Sequence, residues 1–142
     1  MEAPTLTGQM ALPNQLPAIP ATILVVDDDI DVLRMTGTFL RDFGYTVLEA
    51  QSAFEAALAS AEFRGQIDLL LTDLDLGSNL GTDLAVLLGI TKPSLKVLVI
   101  SGRAGLGLND TLTVRDQRFP CLGKPFTRAQ LQQRITEVLG RH

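Results

Sequence analysis

The sequence predicts an α/β fold: five parallel strands in one doubly wound sheet, order 2-1-3-4-5, with helices on both faces. Three observations predict it. Short apolar, β-branched runs recur along the chain, as in strands buried on both faces. Between them lie segments with apolar residues at helical spacing. The connections are short and punctuated by glycine and proline, which favours one strand–helix unit after another over separate blocks of strands and helices.

Residues 1–21 hold four of the seven prolines (Pro4, Pro13, Pro17, Pro20), which makes them a poor helix or strand and predicts a flexible leader before a domain at 22–140. Residues 23–26 (ILVV) form the first strand. Residues 29–43 place Val32, Leu33, Met35, Phe39, Leu40 and Phe43 near helical spacing, with Asp29 and Asp31 in the first turn and Gly44 as a stop. Residues 45–48 are the second strand, 52–63 an Ala-rich helix, and 67–72 (IDLLLT) the third strand. A short helix at 81–90 ends before the Pro93 turn, and 96–100 (KVLVI) is the fourth strand. The fourth unit is irregular: GRAGLGLNDTLTVRDQR at 102–118 holds three glycines, so its helix is expected to be short, distorted or partly mobile. Residues 119–123 make a fifth strand, and 127–139 the last helix, with Thr127 as its cap. Five such units in about 120 residues suit a flavodoxin-like fold.

Composition narrows the function. A net charge of −4 argues against a nucleic-acid surface, which needs clustered Lys and Arg. No apolar run reaches about 18 residues, so no membrane span is expected. A single cysteine, Cys121, permits no internal disulfide and fits a cytoplasmic setting. Only three residues follow Leu139, so no further domain is expected after it.

The polar residues that interrupt the apolar runs share one kind of place. Asp27 and Asp28 end the first strand, Asp73 the third and Ser101 the fourth, and Lys124 follows the fifth. In an open parallel sheet these carboxyl ends meet on one rim, where ligands bind. Three carboxylates packed together repel unless a cation neutralises them, and oxygen-only ligands select a hard ion, Mg²⁺ or Mn²⁺. A lysine and a hydroxyl beside them would hold an anionic group. The set suits phosphoryl chemistry.

ILVVDDD at 23–29, LLLTDLDLGSNLGTDL at 69–84, VLVISG at 97–102 and GKPF at 123–126 resemble the receiver domains of two-component response regulators. The resemblance covers about residues 22–140. It implies that Asp73 is the phosphoacceptor and Asp28 a direct Mg²⁺ ligand, with Asp27 acting through a water and Asp75 supplying a backbone carbonyl. It implies that Ser101 is the switch hydroxyl, that Lys124 pairs with a phosphoryl oxygen, and that Lys124–Pro125 is a cis bond. The implied partners are a histidine kinase or a histidine phosphotransfer protein, and a downstream protein that reads the change in shape. The implied protein is no ordinary enzyme; it takes part in its own phosphorylation and slow dephosphorylation. Asp29, Asp31 and Asp83 read as solvated helix acids, Gly81 as a tight-loop residue and His142 as a terminal residue with no partner in view.

Four positions depart from the commonest members. Leu76-Gly77 replaces Met-Pro, removing proline stiffness. Asp75 adds a fourth carboxylate at a position that influences acyl-phosphate lifetime. Cys121 stands where an aromatic often couples to the switch hydroxyl. Ser101-Gly102 and the glycines after it resemble receivers of hybrid kinases, or stand-alone ones akin to them. Two alternatives stay open: a receiver-like interaction domain that is not phosphorylated, and a Mg²⁺-dependent phosphohydrolase using Asp73 and Asp75 like the DxD pair of haloacid-dehalogenase-like phosphatases.

Overall fold

The computed structural model describes residues 19–102 and 111–140. Most of the leader expected at 1–21 therefore lies outside the described residues, as does His142. The elements in chain order are β1 (Thr22–Val26), α1 (Ile30–Asp42), β2 (Thr46–Ala50), α2 (Ala53–Glu62), β3 (Leu69–Asp73) and a two-rung hairpin of β4 (Asp75–Leu76) and β5 (Asn79–Leu80). Then come α3 (Gly81–Thr91), β6 (Lys96–Ser101), β7 (Thr111–Val114), β8 (Gln117–Gly123) and α4 (Arg128–Leu139).

The main sheet runs β2-β1-β3-β6-β8-β7. Its first five strands are parallel and reproduce the predicted order 2-1-3-4-5. Successive side chains of a strand point to opposite faces. Ile23 and Val25 of β1, Leu69 and Leu71 of β3, and Leu98 and Ile100 of β6 therefore share one core with Leu33 and Leu40 of α1 and Leu131 and Ile135 of α4. Leu24, Val26, Leu70, Val99 and Cys121 share the other with Ala56 of α2 and Leu84 and Leu88 of α3. Residues buried on both faces explain why these strands read as continuous apolar runs rather than alternating ones.

Helix starts follow local chemistry. Asp29 caps α1 by accepting from the Asp31 and Val32 N–H groups, Ser52 caps α2 through the Glu55 N–H, and Thr127 with Gln130 forms a reciprocal capping box on α4. The Arg128 guanidinium sits 5.6 Å from the Phe39 ring and 5.2 Å from the Phe43 ring, with Asp42 at 3.3 Å, and so ties α4 to α1.

Over residues 111–118 the fourth unit is not the helix expected there. Residues 103–110 lie outside the description, but from Thr111 onward the chain is a β-hairpin, which adds a sixth strand antiparallel to β8. TLTV alternates threonine with Leu112 and Val114, a period of two that a strand accepts and a helix does not. Arg115 and Asp116 form the two-residue turn with φ of 51° and 66°, the signature of a type I′ connection. Left-handed backbone is costly for a side chain, so Asp116→Gly is expected to raise the unfolding free energy by ~0.5–1 kcal/mol. A urea unfolding curve checks this; an unchanged or lower midpoint would refute it.

Candidate functional site

Each rim residue is delivered by the end of a strand. Val26 is the last core residue of β1, and Asp27 follows it, 5% exposed, with one carboxylate oxygen accepting from the Asp29 N–H at 2.9 Å. That bond turns the chain into α1 and leaves Asp28 exposed beside it. Asp73 closes β3 opposite Ile100 of β6. Ser101 closes β6 opposite Gly123 of β8 and is 1% exposed. Its carbonyl accepts from the Lys124 N–H at 2.8 Å, which fixes the start of the loop after β8. The Lys124–Pro125 bond is cis.

The side chains converge. Lys124 Nζ lies 3.2 Å from Asp73 Oδ2 and 3.6 Å from Asp27 Oδ2. Asp27, Asp28 and Asp73 each offer a carboxylate oxygen within 4.8 Å of the others. The Asp75 carboxylate is outside this cluster, exposed in β4 and paired across the small hairpin with Leu80, while its backbone N–H donates to the Asp73 carboxylate. Asp83 is not merely solvated: it pairs with Arg115 of the β7–β8 turn at 2.8 Å. Cys121 is buried in the core shared with Phe119.

Two residues shape the site in ways that the sequence reading under-weighted. Gly81 opens α3 directly behind the acceptor. A Cβ there would run into the Asp73 carbonyl oxygen and come within 2.6 Å of Thr72 Oγ1. Thr72 is fully buried, and its hydroxyl donates to the Asp73 carbonyl at 2.9 Å. Gly81 reads from sequence as a tight-loop residue, and Thr72 as one more strand residue until the packing is seen.

Electrostatics follow from this crowding. Burial pushes the Asp27 carboxyl above its ordinary value, against the Asp29 N–H and Lys124, which pull it down. Burial likewise pushes Asp73 up, only partly offset by Lys124 and reinforced by Asp27. Burial alone would lower Lys124, but the Asp73 and Asp27 carboxylates outweigh it and raise the ammonium. Among the described residues the Asp27, Asp28 and Asp73 cluster is met by one ammonium, that of Lys124, which lies against Asp27 and Asp73. An all-oxygen set of this kind fits a hard divalent cation.

A carboxyl whose folded pKa is raised loses stability when it ionises. The cost of Asp27 is absent below its unfolded value near 3.8, grows as pH rises through the raised pKa, and is full above it. In a chelator at neutral pH, Asp27→Asn is therefore expected to unfold at a higher temperature than wild type, with the gap closing as pH falls. Thermal melts in chelator at neutral and at acidic pH decide it; a variant that melts no higher than wild type at neutral pH would refute it.

Known proteins agree with this architecture. A family model described as the response regulator receiver domain matches residues 23–136. The sensor kinase CckA of Brucella abortus (strain 2308) is 36% identical over 120 residues, covering 84% of this chain and 12% of CckA. The response regulator receiver protein CpdR of the same organism is 34% identical over 121 residues, covering 82% of this chain and 95% of CpdR. The transcriptional regulatory protein GlrR of Escherichia coli (strain K12) also matches, and the chain spans 26% of its length. Among solved structures, the receiver domain of the hybrid histidine kinase CckA aligns with a TM-score of 0.64 at 28% identity, covering 84% of this chain and 99% of that one. A CheY-like receiver domain protein from Methanospirillum hungatei JF-1 aligns with a TM-score of 0.69 at 26% identity, covering 86% and 95%. No helix among the described residues is long and apolar enough to cross a membrane. The family match runs from β1 into α4 and takes in all five parallel strands and the whole rim at their carboxyl ends; the chain belongs to the response regulator receiver domain family of two-component systems.

Proposed function

We propose that Asp73 is the phosphoacceptor of this receiver and that Mg²⁺ is held by Asp28, the Asp73 carboxylate and the Asp75 carbonyl, with Asp27 acting through a water. The observation that carries the reading is the convergence of Asp27, Asp28 and Asp73 around Lys124 at the rim of the sheet. The donor is a phosphohistidine on a kinase or phosphotransfer protein. An Asp73 oxygen attacks phosphorus, the P–N bond breaks, and the imidazole nitrogen leaves with the electron pair and takes a proton; the product is an acyl phosphate. A divalent cation held by Asp28 and Asp73 would supply neutralisation of the phosphoryl charge there. Lys124, already 3.2 Å from an Asp73 oxygen, transfers its ion pair to the phosphoryl group. Ser101, on the strand beside that of Asp73, turns its hydroxyl toward the same group, and the resulting shift in packing is read by a downstream protein. The acyl phosphate then hydrolyses slowly in the same site.

The relatives span both expected settings, a receiver within a sensor kinase and one that is almost the whole of CpdR. The phosphohydrolase alternative gains no support from the geometry, because Asp75 lies exposed in β4 rather than in the acid cluster. Incubation with acetyl phosphate, read by intact mass, tests the proposal. One phosphoryl adduct that requires Mg²⁺ is the expected result. Many turnovers of a generic phosphomonoester without a retained adduct would favour the hydrolase instead.

A further inference from the structure

We propose that the outer edge of the sheet, strand β7, is a self-association surface through which two copies of this chain join their sheets antiparallel about a twofold axis. Among the described residues β7 is the terminal strand, paired on one side only, with β8. In a two-residue hairpin the closing pair Val114–Gln117 exchanges both ladder bonds, and so does Leu112–Phe119. Thr111 and Thr113 therefore direct their N–H and C=O groups outward. Edges of this kind are usually blunted by charge or proline. Here the strand reads Thr-Leu-Thr-Val, uncharged, with three β-branched residues of four, and both threonines are exposed.

Which partner fits follows from the register. Only outward-directed residues can exchange bonds, so the register that uses all of them sets Thr111 opposite Thr113 of the second copy and Leu112 opposite its equivalent. That arrangement is its own mate under a twofold rotation, as an isologous contact requires. It forms four new backbone bonds, and its cross-strand threonine pairs are favourable. Among the described residues β7 brings no charge to the seam, and Arg115 beside it is engaged with Asp83 at 2.8 Å. An axis normal to the sheet also keeps both copies of α3 on the same side of the seam. There a groove between α3 and the hairpin is lined by Val86, Leu87, Ile90, Val114 and Phe119, and Ile90 is 75% exposed. Strand pairing with this apolar flank makes a small interface, of the size that associates reversibly rather than permanently.

Sedimentation velocity of the full chain over a wide concentration range tests this, with hydrogen exchange of the Thr111 and Thr113 amides. The expected result is a reversible dimer whose formation slows exchange at those two amides. Thr113→Pro removes an outward donor from each copy while sparing the bonds to β8, and should weaken the dimer at least about tenfold. Thr113→Lys, which keeps the backbone donor but charges the edge, should do the same in a chain with wild-type circular dichroism. Gln132→Lys on α4 should leave it unchanged. A chain that stays monomeric at millimolar concentration overturns the proposal, as does a dimer that survives both Thr113 variants.

Discussion

Asp73→Asn should lose the phosphoryl adduct entirely, with the labelled fraction falling from near stoichiometric to background. An amide oxygen is a poor nucleophile toward phosphorus, and asparagine cannot hold an acyl phosphate. The fold should tolerate the change well. Asp73 is only partly buried, and its side chain leans on Lys124 rather than on the core. Burial already pushes its carboxyl up, so removing the charge relieves a cost in the metal-free protein. The variant should therefore melt no lower than wild type in chelator while failing to label. Intact mass and a thermal melt on the same sample separate the two. A labelled Asp73→Asn protein would move the acceptor elsewhere; an unlabelled but unfolded one would be uninformative, which is why the melt accompanies it.

Gly81→Ala is the second large effect. The new methyl would meet the Asp73 carbonyl oxygen and Thr72 Oγ1, and both neighbours are held: the carbonyl accepts from Thr72, and the Gly81 N–H donates to the Leu74 carbonyl at 2.7 Å. Overpacking against backbone that cannot retreat costs roughly 2–3 kcal/mol. Any relaxation must push β3 and α3 apart at the acceptor, so labelling should also slow. Gly89 in the same helix gives an internal control, because its added methyl meets nothing within 4 Å. Gly89→Ala should stabilise by about 0.5–1 kcal/mol through helix propensity alone. Opposite signs for one substitution in one helix are the expected result of denaturant titration; equal shifts would mean that the close approach behind Asp73 is not rigid.

The parts of the fold that were legible share a physical cause. Strands buried on both faces are largely apolar, so β1, β3 and β6 stand out, and the acid or hydroxyl that closes each run, Asp27, Asp73 or Ser101, marks the rim. Helix starts were legible through Asp29, Ser52 and Thr127 because capping is local. The β7–β8 hairpin was not. Three glycines before it suppress any pattern, and Leu112 and Val114 become informative only once they are known to pack against the α3 side of the sheet. The β4–β5 hairpin was missed because two-residue strands are shorter than any periodicity. Within the site, the identities of Asp27, Asp28, Asp73 and Lys124 were legible from their places at strand ends. The crowding of Gly81 against the acceptor carbonyl was not, since it depends on how α3 approaches β3 in space.

One particular carboxylate, that of Asp73, is expected to carry the phosphoryl group. Borohydride reduction of the labelled chain converts an acyl-phosphorylated aspartate to homoserine, which peptide mapping then locates. Homoserine at position 73, only in samples that received Mg²⁺ and phosphodonor together, is the result predicted here. Homoserine at Asp75, Asp27 or Asp28, or an adduct that resists reduction altogether, would contradict it.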